Sequence, residues 1–333
     1  MIVNKHIITQ EAGTNWTQSN ETEDHCWSLC VTQTGRIIGG SDLTGIWYSD
    51  DNGVNWTQSD KTSGDWFVLC VTSTGRIVTG NTENGFWYSD NNGVNWTHSN
   101  KTNDTVDALC VTSTGRIIAG CTGANFTGIG FWYSDDNGVN WTQSNKTNDM
   151  WYSLCVTPTG RVVAGSNNNE GLWYSDDNGV NWTQSNKTDR NWHSLCVTST
   201  GRIIAGECGI GAGLWYSDND GETWTQSNKT DVLVSTLCVT STGRIIAGCI
   251  AAGIWYSDDD GINWTQSDKT DENWNALCIT STGRVVAGSG NSAGLWYSDN
   301  VYRIQPYSSL LVTGAQAKEY VQQFKAYVQS LKS

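Results

Sequence analysis

The stretch GLWYSDDNGVNWTQS at residues 171–185 is the unit from which this chain of 333 residues is built. Its centre has the pattern Ser-x-Asp-x-Gly-x-x-Trp, with Ser175, Asp177, Gly179 and Trp182 at the defined positions. A repeat of about 40 residues is typical of solenoids, arrays and propellers. The tryptophan of the pattern recurs seven times, 40 to 45 residues apart, as Trp16, Trp56, Trp96, Trp141, Trp182, Trp224 and Trp264.

Each repeat predicts four β-strands. Trp-Tyr-Ser before the turn and Asn-Trp-Thr-Gln after it are aromatic and β-branched, as strands require. Asp-Asn-Gly between them is turn sequence, because glycine accepts positive φ and Asp side chains bond to turn amides. In the fifth repeat the strands are expected near 192–198, 202–206, 214–217 and 223–227. Four strands repeated seven times predict an all-β, seven-bladed propeller of four-stranded blades.

The two ends of the repeat region predict how the ring closes. Residues 13–19 are the second half of a hairpin whose first half is found at 294–300. The N-terminal strand is therefore expected to complete the last blade, which removes exposed sheet edges. This interpretation divides the chain into a leader at 1–10 with an extra strand near 7–9, the propeller at 11–300 and a tail at 301–333.

The tail changes to helical spacing. Val321, Phe324, Val328 and Leu331 fall on one face of an amphipathic helix at about 315–331. That face is expected to dock either on the propeller or on another chain.

The repeated pattern resembles the Asp-box (BNR) repeat of sialidases and other β-propellers, and the match covers residues 11–300. The resemblance implies that the box is structural and lies on an outer turn, away from the catalytic face. Two copies illustrate this set: Ser49, Asp51, Gly53 and Trp56, and Ser175, Asp177, Gly179 and Trp182. The box lacks the final bidentate glutamate of a calcium loop, and no cysteine pair has metal-ligand spacing, so no metal or cofactor is predicted.

Composition excludes several classes of partner and of location. The formal net charge of −14 disfavours nucleic acid and anionic membrane surfaces. No segment is apolar enough for a signal peptide or a membrane span. Seven of the eleven cysteines occupy one repeat position, where disulfides between blades are not expected, so a cytoplasmic location is predicted.

The loops opposite the Asp-box turns differ between repeats, and we therefore place any binding site on that face, called the loop face below. Tryptophans beside Asp, Asn and Arg there are suited to stacking on sugars or to anchoring a protein. The alternative is that these rings only fill gaps between blades. The predicted binding residues are Trp27, Trp66, Trp151, Arg190, Trp192, His193 and Trp274.

The opposite face carries one arginine per repeat in Thr-Gly-Arg turns. Such a ring could hold an anion, but in so acidic a chain we expect each arginine to pair with a nearby carboxylate. These arginines are Arg36, Arg76, Arg116, Arg161, Arg202, Arg244 and Arg284.

The residues argue against a glycosidase. Resemblance to sialidases would require three converging arginines, a tyrosine–glutamate pair and an acidic proton donor, whereas only Arg190 and Arg303 lie outside the repeated turn. We predict a non-catalytic scaffold that binds a protein through the loop face and the C-terminal helix. The photosystem assembly-factor propellers are similar in having seven Asp-box blades without catalysis, although nothing in the sequence links this chain to photosynthesis. A glycan-binding, lectin-like propeller is the alternative, and a sialidase-type glycosidase is a remote one.

Overall fold

The computed structural model describes residues 5–10, 12–21, 25–82, 85–101, 104–123, 127–209, 211–270, 272–291, 293–299 and 301–306. The predicted helix at 315–331 lies outside these residues.

Seven four-stranded antiparallel sheets form the blades of a propeller, as the repeats predict. The inner strands are β3 (Cys26–Val31), β7 (Trp66–Val71), β11 (Thr105–Val111), β15 (Trp151–Val156), β19 (Trp192–Val197), β23 (Leu233–Val239) and β27 (Trp274–Ile279). The second strands are β4 (Ile37–Ser41), β8 (Ile77–Asn81), β12 (Ile117–Gly123), β16 (Val162–Ser166), β20 (Ile203–Glu207), β24 (Ile245–Ile250) and β28 (Val285–Ser289).

The outer half of each blade contains the hairpin with the Ser-x-Asp-x-Gly-x-x-Trp pattern, whose turn is called the box turn below. The third strands are β5 (Ile46–Ser49), β9 (Gly85–Ser89), β13 (Thr127–Ser134), β17 (Leu172–Ser175), β21 (Gly213–Ser217), β25 (Ile254–Ser257) and β29 (Leu295–Ser298). The fourth strands are β6 (Thr57–Gln58), β10 (Thr97–His98), β14 (Thr142–Gln143), β18 (Thr183–Gln184), β22 (Thr225–Thr230) and β26 (Thr265–Gln266), with β2 (Thr17–Gln18) in the seventh blade.

The ring closes as predicted. In the seventh blade β2 pairs antiparallel with β29, and Thr17 lies opposite Tyr297. The inner strand β27 of this blade also contacts β3 of the first blade. Because the N-terminal segment completes the last sheet, the first and last blades meet like any other neighbours.

An additional two-stranded sheet lies outside the seven blades. It pairs β1 (Lys5–Gln10) antiparallel with β30 (Val301–Pro306), with Ile7 opposite Ile304. The sequence interpretation includes a strand near residues 7–9, but it assigns no strand to 301–306. The partner strand was missed because the tail was interpreted from its helical spacing further along.

The core lies between neighbouring blades. The five second strands β4, β8, β16, β20 and β28 are buried along their whole length. A glycine on this strand allows the close approach: a Cβ on Gly40 would lie 2.5 Å from the carbonyl oxygen of Trp66 in the next blade. Continuous apolar strands are expected where both faces of a sheet are covered.

The box turn is closed by its own side chains. The Asp51 carboxylate accepts hydrogen bonds from the Asn55 backbone amide (2.8 Å) and the Ser49 hydroxyl (2.9 Å). The Ser49 oxygen accepts one from the Gly53 amide, and the Trp56 indole donates to the Gly53 carbonyl. Burial by itself raises the pKa of Asp51, but the hydrogen bonds from Asn55 and Ser49 outweigh it and hold the pKa below the usual range. The same bonds are made by Ser175, Asp177, Gly179, Asn181 and Trp182.

One arginine per repeat joins each blade to the next. The Arg36 guanidinium donates to both oxygens of Asp50 (2.7 and 2.8 Å) and lies 4.1 Å from the Tyr48 ring centroid. Its third nitrogen donates to the carbonyl of Asn92, in the next blade's box turn (3.1 Å). The predicted pairing of these arginines with carboxylates is confirmed. The same arrangement is made by Arg76, Arg116, Arg161, Arg202, Arg244 and Arg284.

Ring closure leads to the first prediction. Trp16 is 8% exposed and stacks on Trp274 with ring centroids 6.2 Å apart. Replacing Trp16 with Ala should lower the free energy of unfolding by about 3–5 kcal/mol, as for other large-to-small core changes. Urea unfolding should give a similar loss for Trp224→Ala, a box tryptophan whose blade is continuous in the chain. A Trp16→Ala loss below about 1 kcal/mol would contradict the docked N-terminal segment.

Candidate functional site

Every inner strand has a β-bulge near its start, and the bulge directs one side chain per blade towards the propeller axis. In β7, Trp66 pairs with Asn81 and Val68 pairs with Gly80, so Phe67 between them has no cross-strand partner. A bulge commonly re-aims a side chain in this way. The seven bulge residues, called the mouth ring below, are Trp27, Phe67, Asp107, Tyr152, His193, Ser235 and Asn275.

The mouth ring lines a single cavity of about 830 Å³ on the loop face. All seven members are half-buried. Deeper in the cavity, two residues further along each inner strand, lie the seven leucines Leu29, Leu69, Leu109, Leu154, Leu195, Leu237 and Leu277. The cavity therefore has an apolar floor and a chemically varied rim.

Two aromatic pairs flank one acid in the mouth ring. Trp27 and Phe67, from the first two blades, meet edge to face with ring centroids 5.3 Å apart. Tyr152 and His193, from the fourth and fifth blades, do the same at 5.1 Å. Asp107 belongs to the third blade and lies between the pairs. The far side of the ring is polar and consists of Ser235 and Asn275.

The Asp107 carboxylate is only partly satisfied. Its Oδ2 accepts a hydrogen bond from the Thr122 hydroxyl at 2.5 Å. No other hydrogen bond to this carboxylate is found among the described residues. Burial raises the pKa of Asp107 to about 6, and the bond from Thr122 offsets only part of that rise.

The side chain of Asn167, in the fourth blade, contacts both His193 and Tyr152. His193 Nε2 lies 2.7 Å from the Asn167 side-chain oxygen. Burial lowers the pKa of His193 to about 4, so the imidazole is neutral at pH 7. Burial also raises the pKa of Tyr152, and the negative charge of Asp107 raises it further.

Four of the predicted ligand-binding tryptophans belong to the core instead. Trp66, Trp151, Trp192 and Trp274 are at most 3% exposed, so the prediction that they are exposed on the loop face is wrong. They precede the bulge and fill the space between blades, as Trp151 does by packing on Phe131 at 4.4 Å. The alternative interpretation of these rings is the one the structure supports.

Two of the other predicted residues line the cavity. Trp27 and His193 are both members of the mouth ring. The sequence interpretation treated Trp27 as an equivalent of Trp66, but Cys26 occupies that position in the first blade. Trp27 is one residue further along and therefore points into the cavity.

Arg190 forms an ion pair with a buried acid, Glu207. Its Nη1 donates to both oxygens of Glu207 (2.7 and 2.9 Å) and to the Gly211 carbonyl. The Glu207 side chain is 1% exposed, and burial raises its pKa despite this partner. The contacts of Arg190 are therefore those of a structural ion pair.

Sequence reasoning missed Phe67, Asp107, Tyr152, Ser235 and Asn275. The signal is present if the repeats are aligned on their shared Leu-Cys pair, because the position two residues before the leucine holds seven different residue types. The bulge itself has no local sequence signature, so the direction of these side chains could not be predicted.

The described residues contain no group of three or more His, Cys, Asp or Glu side chains placed to hold a metal ion. Nor do they contain a helix with the length and apolar character needed to cross a bilayer.

No protein-family model and no curated protein sequence matches the chain. Solved structures are similar to it in fold. YCF48 from Cyanidioschyzon merolae matches with a TM-score of 0.65 and 13% identity, covering 85% of this chain and 98% of that one. The likeness establishes the fold alone.

Two further solved structures are similar to the chain in fold. YCF48 bound to D1 peptide matches with a TM-score of 0.66 and 15% identity over 86% of this chain and 95% of that one. Virginiamycin B lyase from Staphylococcus aureus matches with a TM-score of 0.69 and 10% identity over 89% of this chain and 100% of that one. Proteins of similar fold thus include one bound to a peptide and one named as a lyase, so function must be argued from the site.

The ion pair in the fifth blade allows a matched test. Arg190→Ala should lower the free energy of unfolding by about 2–4 kcal/mol, since it removes the ion-pair partner of a buried carboxylate. Combining it with Glu207→Ser, the residue type at the equivalent Ser166 of the fourth blade, should restore most of that loss. Equal destabilisation of the single and double variants in urea unfolding would contradict the assignment.

Asp107 should make stability depend on pH. Its carboxyl has a higher pKa in the folded chain than the usual 3.8, so stability is lost as pH rises from 3.8 through 6. Asp107→Asn lacks this titration. As pH rises from 5 to 7.5, the unfolding free energy of the variant should therefore increase by about 1 kcal/mol relative to that of the wild type, after allowance for the exposure of Asp107 to the cavity. Parallel pH profiles of unfolding free energy would show that the carboxyl is not buried as described.

Proposed function

We propose that this chain is a non-catalytic binding propeller whose mouth ring holds a segment of a protein partner. The observation that carries the proposal is the mouth ring itself. Seven nearly identical repeats place seven different residue types at one position, and that position lines one cavity. A structural role alone would be satisfied by the same residue in every blade, as it is by the seven leucines below.

The shape of the site supports a peptide-sized ligand. The cavity of about 830 Å³ is in the range of small-ligand sites, roughly 300–1,000 Å³. Such a volume has room for several side chains of a partner segment, while the variable loops around it contact the flanking backbone. Aromatic residues that are half-buried and already paired with each other lose little freedom when a ligand arrives, which favours them as binding anchors.

The chemistry of the mouth favours binding over catalysis. His193 contacts the amide of Asn167, and Asp107 contacts the hydroxyl of Thr122. The Asn167 amide is not a nucleophile, and the Thr122 hydroxyl belongs to a residue that is only 3% exposed, which disfavours its attack on a substrate. The Thr-Gly-Arg arginines are each bound to an aspartate near the opposite face, and Arg190 is bound to Glu207. The described residues therefore offer no cluster of arginines for a sialidase-type carboxylate site.

The hydrogen bonds of the boxes support a further assignment, to the Asp-box propellers. We also propose a cytoplasmic location, because none of the eleven cysteines is in a disulfide bond, as is usual in reducing compartments. The tail at 315–331 remains a proposed second docking element. Of the five tryptophans predicted to bind a ligand, only Trp27 lines the cavity, so the glycan-binding alternative depends on Trp27.

The test is selection of peptides from a random display library on the full-length chain, followed by fluorescence anisotropy with purified peptides. Trp27→Ala combined with Tyr152→Ala should weaken the binding of selected peptides at least about tenfold, since central aromatic anchors dominate such sites. The control is Ser113→Ala with Ser199→Ala, two exposed residues in Thr-Gly-Arg turns on the opposite face. Thermal unfolding of both variants checks that the ring remains folded.

Equal binding to the double variant and the wild type would overturn the assignment of the mouth ring. Binding to a glycan array that depends on Trp27, with no peptide selected, would instead support the lectin-like alternative.

A further inference from the structure

The mouth of the cavity has negatively charged side chains and no cationic side chain among its described lining residues. Asp65 and Asp107 line it, whereas no lysine or arginine is found among its described lining residues. His193 is neutral at pH 7, as its pKa of about 4 requires. The whole chain carries a formal net charge of −14, which adds to the local field and attracts cations to the mouth.

Aromatic rings surround the acid on both sides. Phe67 and Tyr152 lie on the inner strands that neighbour the strand of Asp107, β7 and β15. Trp27 and His193 are packed edge to face behind them. Aromatic faces attract cations, most strongly when water is displaced from the site. An acid between aromatic walls is therefore matched to a positively charged group rather than to an anion.

We infer that the mouth ring binds the side-chain ammonium group of a lysine on the protein partner, with Asp107 as its counter-ion and Phe67 and Tyr152 as its walls. This inference rests on the proposed function, since it names the chemistry that the partner segment presents. An ammonium group is favoured over a guanidinium because the Thr122 hydroxyl already donates a hydrogen bond to one oxygen of Asp107. One oxygen suits a point-charge donor, whereas a guanidinium prefers both oxygens of a carboxylate.

The same chain contains an internal example of this recognition. The Lys146 ammonium lies 2.6 Å from an Asp149 oxygen and 4.3 Å from the centroid of the Trp173 ring. Lys101 makes the equivalent contacts with Asp104 and with the ring of Trp132, 4.1 Å away. Here the fold stabilises an ammonium between one carboxylate and an aromatic face. The mouth has the carboxylate and the rings but lacks the lysine.

The partly satisfied carboxylate of Asp107 favours a cationic ligand. Burial raises the pKa of Asp107 to about 6, which means that its charge is poorly solvated in the free protein. A cation that docks in front of Asp107 compensates this charge and improves the environment of the carboxylate. A neutral ligand of the same shape does not.

The decisive experiment uses n-butylammonium as a lysine side-chain probe and n-butanol as its neutral counterpart. Saturation-transfer NMR on the full-length chain should detect butylammonium binding, at least about fivefold tighter than butanol. Asp107→Asn should weaken butylammonium binding about tenfold. Asp231→Asn is the matched control, because Asp231 is exposed, lies outside the cavity lining and has a φ of 64° that asparagine tolerates.

Peptides selected on the wild-type chain provide the second readout. Replacing their lysine with norleucine should abolish binding, and replacing it with arginine should weaken it. If selected peptides depend on Trp27 and Tyr152 but not on a lysine, the proposed function stands and this inference is overturned. If no peptide is selected but butylammonium binds in an Asp107-dependent way, the cation site stands and the protein partner is overturned. Equal binding of butylammonium to Asp107→Asn and wild type overturns the inference outright.

Discussion

The arginine after each Thr-Gly turn holds two blades at once. Its guanidinium pairs with an aspartate and stacks on a tyrosine of its own blade, and it donates to a backbone carbonyl in the next blade's box turn. Arg284 makes this last bond to the carbonyl of Asn52, from the seventh blade to the first. Each arginine therefore depends on the next box turn being correctly folded. This links the local hydrogen bonds of the box to closure of the whole ring.

A frame built on such repeated contacts leaves few positions free to vary. The boxes, the second strands and the leucine ring are nearly the same in every blade because each has an equivalent neighbour to satisfy. The bulge residues face the open cavity and have no equivalent neighbour across it. Differences between repeats at this position, such as Asp107 in one blade and His193 in another, therefore have little effect on the stability of the propeller and change what the mouth can bind.

Several features of the fold could be predicted from particular residues. The box tryptophans from Trp16 to Trp264 indicated the blade count, and the split hairpin at residues 13–19 and 294–300 indicated ring closure. The site was predicted less well. Trp192 and Trp274 were interpreted as loop-face ligands because a tryptophan at the start of a strand looks the same in sequence whether it faces the loop or the next blade. Arg190 looked free because its partner Glu207 is on a different strand.

Sequence by itself determined the repeat, the hairpin and the number of blades, since these follow from turn chemistry and from strand patterns that are local in the chain. Only the tertiary structure decided which side chains enter the cavity. A bulge changes side-chain direction by a single residue, and it arises from the pairing of two strands rather than from either sequence alone. Trp27 and Trp66 are both tryptophans near the start of an inner strand. One lines the mouth and the other lies in the core, because they stand on opposite sides of that one-residue shift.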